Sequence, residues 1–242
     1  MKQLLKQLLA FFHISVTRNQ RYDAYTRRII QETLAPSSNC IDIGCHRGEI
    51  LDLMIHRSPN GRKYGFEPIP MLVDFLHEKY AGDPKVAIHA IALFDKEGTT
   101  TFQHVVNAPA YSGIRQRKYD GREVTIEEIT VQTGRLDSFI PADEKIDLIK
   151  IDVEGAEYHV MKGAVETLRR CRPIVVFEFG LGAADFYEVG PAEVYQLLTR
   201  DCNMGVSTLK GYLKGGDPLT EAEFRACFEQ GTEYYFVGHR LK

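Results

Sequence analysis

The stretch NCIDIGCHRGE, residues 39–49, decides the fold: it opens as a short apolar strand around Ile41 and Ile43, breaks at Gly44 and restarts as a helix after Gly48. A strand that passes through glycines into a helix is the ligand-binding corner of an open parallel sheet, because small molecules sit beyond the carboxyl ends of such strands. The spacing selects the ligand. A dinucleotide fingerprint needs G-x-G-x-x-G and a pyrophosphate on the helix N-terminus, whereas here three residues separate Gly44 from Gly48 and the middle glycine is missing. Asp42 stands just before the turn, where it repels a pyrophosphate and accepts hydrogen bonds from ammonium or hydroxyl groups. D-x-G-x-x-x-G thus suits a cationic, phosphate-free nucleoside such as S-adenosylmethionine, although a plain tight turn carries the same glycines.

Working outward, the second strand is expected over residues 63–66 and ends at Glu67-Pro68. Glu67 follows Gly44 by 23 residues, close to the roughly 20 expected of the carboxylate that holds a ribose diol. Met71, Leu72, Phe75 and Leu76 then share one face of a helix. A third strand over residues 85–93 follows, and its end, with Ala92 and Leu93, offers apolar side chains to an adenine. Residues 99–106 and 127–133 alternate like strands. The segment between them, residues 107–120, has no periodicity and carries Pro109, Tyr111, Ser112 and Arg115. Long irregular segments in compact domains are often lids. Tyr111, Ser112 and Arg115 are therefore the expected acceptor contacts, suited to an anionic or glycosylated ligand.

Residues 145–157 form the next strand and its exit, and three carboxylates, Asp152, Glu154 and Glu157, crowd that exit. Such crowding is costly unless a cation, a hydroxyl or backbone donors offset it. A helix carrying Ala156, Val160, Met161, Ala164 and Leu168 follows. Here the chain resembles the FkbM family of S-adenosylmethionine-dependent methyltransferases, through DLIKIDVEGAE at residues 147–157, Lys162-Gly163-Ala164 and Thr167-Leu168. Supporting blocks are Asp42, Gly44 and Gly48, then Phe66-Glu67-Pro68, residues 90–93 and residues 135–138. Many family members have Ala-Asn where this chain has Cys45-His46. The resemblance implies a Rossmann-like class I methyltransferase fold: an α/β protein with a mostly parallel seven-stranded sheet, helices on both faces and an antiparallel final pair. It implies that Asp42, Gly44, Cys45 and Gly48 border the methionine part of the cofactor, that Glu67 with Pro68 holds the ribose, and that Asp152 closes the site beside the methyl group. It also implies O-methylation of hydroxyls on sugars, glycans and related natural products.

Residues 173–178 make the following strand, which ends in Glu178, and residues 206–209 and 233–240 supply the last two. Methyl transfer needs an acceptor oxygen in line with the methyl group and a base for its proton. Asp152 and Glu178 are the first candidates for that base and Glu154 the third; His46, His159 and His239 are weaker. A divalent metal on Asp152 with Glu154 or Glu178 is a rival arrangement, but no histidine cluster supports it. The same fold also serves carboxylate, amide or lipid-linked acceptors, or a cofactor-binding module without transfer activity.

The totals exclude other classes. A chain of 242 residues with 44% hydrophobic residues buries a core, and a net charge of −3 gives no general attraction to nucleic acid. Five cysteines without C-x-x-C spacing point to a reducing cytoplasm and to no zinc knuckle. Residues 1–38 read as a helical arm and residues 39–242 as the methyltransferase domain. Within the arm, Leu4, Leu5, Leu8, Leu9, Phe11 and Phe12 face one helical side. That stripe suits docking on the protein itself or on a second subunit of a homo-oligomer, and also peripheral contact of residues 1–12 with a membrane surface. With only two lysines opposite, docking is favoured.

Overall fold

The computed structural model of the protein describes residues 17–119 and 123–241. The two readings of residues 1–12 lie outside them, as does Asp120. Helix α1 (Arg18–Thr33) is started by a reciprocal cap, in which Thr17 accepts from the Gln20 amide and Gln20 accepts from that of Thr17. Then come β1 (Cys40–Ile43), α2 (Glu49–Arg57), β2 (Lys63–Phe66), α3 (Pro70–Tyr80) and β3 (Val86–His89). The middle of the chain holds β4 (Ala92–Leu93), β5 (Gly98–Val105), β6 (Ile126–Gly134) and β7 (Leu148–Ile151). The last part runs α4 (Glu157–Lys162), α5 (Val165–Cys171), β8 (Ile174–Glu178), α6 (Pro191–Gln196), β9 (Met204–Thr208), α7 (Leu209–Leu213), α8 (Glu221–Glu229) and β10 (Tyr235–Arg240).

Seven strands form one sheet in the order β3-β2-β1-β7-β8-β10-β9, with β10 antiparallel to both of its neighbours and the other pairs parallel. This is the class I methyltransferase-like arrangement. The strands β1, β2 and β7 are buried along their whole length, the charged Asp42, Lys63 and Lys150 included. Alternation divides their side chains between two cores. Ile41, Ile43, Ile149 and Ile151 pack with Val160, Leu168, Val194 and Phe224 on one face. Cys40 and Leu148 pack with Ile30, Leu51 and Met54 of α1 and α2 on the other. Each fully buried isoleucine contributes about 1.5–3 kcal/mol. None of the described helices is long and apolar enough to cross a membrane.

Three local expectations change. The strand expected over residues 85–93 divides, because the carbonyl of His89 accepts both the Glu67 and the Ile91 amides, at 3.1 and 3.0 Å, and the chain peels away there. Beyond that turn β4 pairs with β6 in a second, three-stranded sheet of order β4-β6-β5, which the sequence reading did not anticipate. The helix expected across residues 156–168 is broken into α4 and α5 at Gly163, where an added Cβ would lie 2.2 Å from the carbonyl oxygen of Phe94. The carboxylate of Asp137 caps α5 by accepting the Glu166 and Thr167 amides. Finally, α3 buries Leu72, Val73 and Leu76, while Met71 and Phe75 face outward.

Candidate active site

The parallel strands β1, β2, β7 and β8 end at one edge of the sheet, and the chemistry-bearing residues collect there. Gly44 leaves β1 with φ +74°, and its added Cβ would meet the carbonyl oxygen of Asp152 at 1.9 Å. Only glycine fits so close a turn. The Gly44 and Cys45 amides donate to the carbonyl of Phe66 at 2.9 and 3.2 Å, which ties the turn to the end of β2. Glu67 completes the tie: its Oε2 accepts the His46 amide at 2.9 Å and its Oε1 accepts the Ile69 amide at 3.1 Å. Burial pushes this carboxyl up to about 7 against the pull of those two N–H groups.

Register then builds a charged row beneath the turn. Asp42 and Lys150 are directly paired across β1 and β7, so their side chains share a face, and Asp152 follows on that face two residues later. The Lys150 ammonium lies 3.8 Å from Asp42 Oδ1 and 3.2 Å from Asp152 Oδ2. The hydroxyl of Tyr235 donates to the same Asp152 oxygen at 3.1 Å. Asp42 is fully buried, neither of its oxygens has a hydrogen-bond partner, and burial lifts its carboxyl to about 6 although Lys150 opposes the shift. Burial works to lower the pKa of Lys150, but Asp152 and Asp42 together hold it above its ordinary value. The lysine stays charged.

At the end of β8, Glu178 is paired across the sheet with Tyr235 of β10. Burial, then the neighbouring Asp152 and Glu157 charges, push its carboxyl up to about 8, with Arg117 opposing. Glu154, in the left-handed region at φ 58°, is ion-paired with Arg117. Glu157 has a structural part. Its Oε1 accepts the Val153 and Gly155 amides at 3.0 and 3.2 Å.

Glu67, Lys150, Asp152, Glu154 and Glu178 open onto a cleft of about 360 Å³, within the range for small-molecule sites. Gly44, Glu67, Pro68, Ala92 and Leu93 line one part of it. Asp152, Glu154, Glu178, Tyr111 and Ser112 line it as well. Asp42, Cys45 and Gly48 do not reach the cleft; the Cys45 side chain is buried and Gly48 is the N-cap of α2. Arg115 is not brought to it either, since its guanidinium donates to the carbonyl of Phe186 and lies 5.3 Å from the Tyr187 ring. Among the histidines His46 lines the cleft, with its pKa lowered by burial. His159 instead stacks on Phe94 at 4.3 Å, and His239 hydrogen-bonds Ser207 at 2.9 Å. Among the described residues no cluster of histidine, cysteine or carboxylate side chains is arranged to hold a metal ion.

Sequence reasoning missed Asn19, Asp23, Arg117, Tyr234 and Tyr235, all of which line the cleft. It also missed the part played by Lys150. For Lys150 a signal existed, because alternation along residues 148–152 sets it on the same face as Asp152. Arg117 stands in the segment 107–120 already singled out, where Arg115 is the expected contact instead, while Asn19, Asp23, Tyr234 and Tyr235 arrive from elements distant in the chain.

The family model described as "Methyltransferase FkbM domain" matches residues 42–205. The chain belongs to this family. The FkbM segment includes the turn, Glu67, Asp152 and Glu178. The chain is 30% identical over 165 residues to "2-O-methyltransferase NoeI" of Sinorhizobium fredii (strain NBRC 101917 / NGR234), covering 60% of this chain and 65% of that one. It is 27% identical over 155 residues to "Methyltransferase sdnD" of Sordaria araneosa, covering 52% and 60%. The match therefore spans less than two thirds of each relative. The crystal structure of methyltransferase FkbM from Methylobacillus flagellatus KT has the same fold, with a TM-score of 0.51 at 14% identity, over 85% of this chain and 44% of that one.

The FkbM family implies S-adenosylmethionine, and the residues present fit it. An acidic row with one buried lysine suits a ligand with a sulfonium charge, and Gly44 lines the cleft beside Asp152. Glu67 at the rim would accept from the ribose hydroxyls, and Ile91, Ala92 and Leu93 would face the adenine. Replacing Glu67 with alanine is expected to weaken cofactor binding by about 1.5–3 kcal/mol, the range for hydrogen bonds to a charged group. Calorimetry checks this, and unchanged affinity would remove Glu67 from the cofactor site.

Proposed function

We propose that the protein moves the methyl group of S-adenosylmethionine to a hydroxyl oxygen of a sugar, glycan or related natural product. The observation that carries this reading is the meeting, in one cleft, of three strand-end carboxyls, Glu67 after β2, Asp152 after β7 and Glu178 at the end of β8. The relative described as a 2-O-methyltransferase supports oxygen as the acceptor atom. When bound, S-adenosylmethionine supplies an electrophilic methyl group on a sulfonium. Glu178 takes the proton of the acceptor hydroxyl, a task that suits a carboxyl whose pKa lies close to the working pH. Asp152 has a different part. With Lys150 and Tyr235 both on its Oδ2, it is a fixed negative charge that offsets the positive charge of the cofactor. Glu154 is tied to Arg117 and orders the cleft wall.

Transfer of radiolabelled methyl groups to a panel of neutral sugars, glycans, nucleotide sugars and lipids tests the reading. Label in an alkali-stable ether linkage supports it, and label only in carboxyl esters or amides overturns it. Residues 107–119 should gain protection from hydrogen exchange when acceptor is added, because Pro109, Ala110, Tyr111 and Ser112 line the cleft on a short helical turn whose Ser112 hydroxyl already accepts the Val105 amide at 2.9 Å. Unchanged exchange there would leave the segment a plain structural wall.

A further inference from the structure

Helix α1 and the residues Tyr234 and Tyr235 lie outside the segment that matches the family, yet Asn19, Asp23, Tyr234 and Tyr235 line the cleft together with Asp152 and Glu178. The helix is firmly held there. Tyr22 is 4% exposed, its ring lies 4.7 Å from that of Tyr234 and 5.1 Å from that of Tyr235, and its hydroxyl donates to Glu233. Tyr234 donates to Asn19 Oδ1, and Arg18 donates to the carbonyl of Gly231 at 2.8 Å. Asp23 follows Asn19 by one helical turn, so both face the same way.

The charges that line this cleft are mostly negative, and the cation that acts most on Asp23, Arg27, stands outside the lining. Asp23, Asp152, Glu154 and Glu178 line it, and the two cations among the described lining residues are already taken, Lys150 by Asp42 and Asp152 and Arg117 by Glu154. Asp23 makes no ion pair or hydrogen bond among the described residues, and Arg115, the cation expected to meet an anionic acceptor, points elsewhere. Carboxylates accept hydrogen bonds and repel anions.

We propose that α1 is part of the acceptor site, with Asp23 and Asn19 selecting a polyol or amino polyol and rejecting acceptors that carry phosphate or carboxylate. This rests on the methyl-transfer reading above. It places the choice of acceptor in residues outside the family segment.

The test uses the full chain loaded with S-adenosylhomocysteine, with binding of glucosamine, methyl glucoside and glucose 6-phosphate followed by ligand-observed magnetic resonance. Wild-type protein is expected to bind glucosamine and methyl glucoside about tenfold or more tightly than glucose 6-phosphate. Asp23→Lys should shift the ratio of glucose 6-phosphate to glucosamine affinity by about tenfold in favour of the phosphate. Asp23→Asn, which adds no bulk, should narrow the same ratio by about threefold or more. Arg28→Ala, on an exposed part of the same helix, should leave it unchanged. Tightest binding of the phosphate by wild type, an unchanged ratio in both Asp23 variants, or no binding of any probe overturns the proposal. Calorimetry of S-adenosylhomocysteine on the same samples separates the two readings: failure there, and not in the sugar ratios, would overturn the methyl-transfer reading.

Discussion

Replacing Glu178 with glutamine is expected to lower turnover by about 10²- to 10⁴-fold, the usual loss on removing a general base, with cofactor affinity changed by less than about threefold. The geometry separates Glu178 from Asp152. Two donors, the Lys150 ammonium at 3.2 Å and the Tyr235 hydroxyl at 3.1 Å, already occupy Asp152 Oδ2. Burial and the acidic neighbours push Glu178 up to about 8, with Arg117 opposing. The sign of the pH dependence follows. The active form of a base is deprotonated, so wild-type turnover should rise about tenfold per pH unit below 8 and level off above it. The Glu178→Gln enzyme should lose that slope. Asp152→Asn should act mainly through cofactor affinity. Near-wild-type turnover across pH in both variants would place the base elsewhere or point to a metal-activated hydroxyl, which a chelator would reveal.

Lys150→Met is expected to destabilise the protein by about 3–5 kcal/mol, since it removes the buried cation and leaves the acids on either side uncompensated. For a chain of this size that is a fall in Tm of roughly 6–20 °C. The fully buried Asp42, lifted to about 6 even with Lys150 beside it, can relieve the strain by keeping a proton. The gap between variant and wild type should therefore be smaller near pH 5.5 and widen towards pH 8, where that proton must be forced off or held at a cost. Adding Asp42→Asn to Lys150→Met should recover part of the lost stability, because one of the two stranded charges is gone. Thermal melts at the two pH values decide the matter. A change of under about 2 °C at pH 8 would mean that the row contributes little to the folded state.

The boundaries of β2 agree with the sequence reading residue for residue, and β1 with its turn into α2 was equally legible. Both are short parallel strands bounded by turn residues, Pro36 and Gly44 for the first, Gly61 and Pro68 for the second. The family could be read from residues 147–157 with the supporting blocks, and the seven-stranded sheet with its antiparallel last pair followed from that resemblance. The three-stranded second sheet could not, because β4 differs from β3 only in its partner, and the partner β6 lies some forty residues away. Arg115 and Arg117 look alike in composition, and only the packed fold turns one to Phe186 and the other to Glu154 in the cleft wall.

By itself, then, the sequence determined what is local or periodic in this protein: the glycine corner after Asp42, the carboxylates that end β2, β7 and β8, and the common edge on which parallel strands must leave them. The tertiary structure alone decided which of those acids are free to act. Tyr235 reaches Asp152 only because β10 runs antiparallel beside β8, Asp42 and Asp152 share one lysine only because β1 and β7 are in direct register, and Asp23 meets the cleft only because Tyr22 packs on the start of β10. Each of these is a contact between residues far apart in the chain, and its energy depends on burial and register that no single stretch of residues encodes.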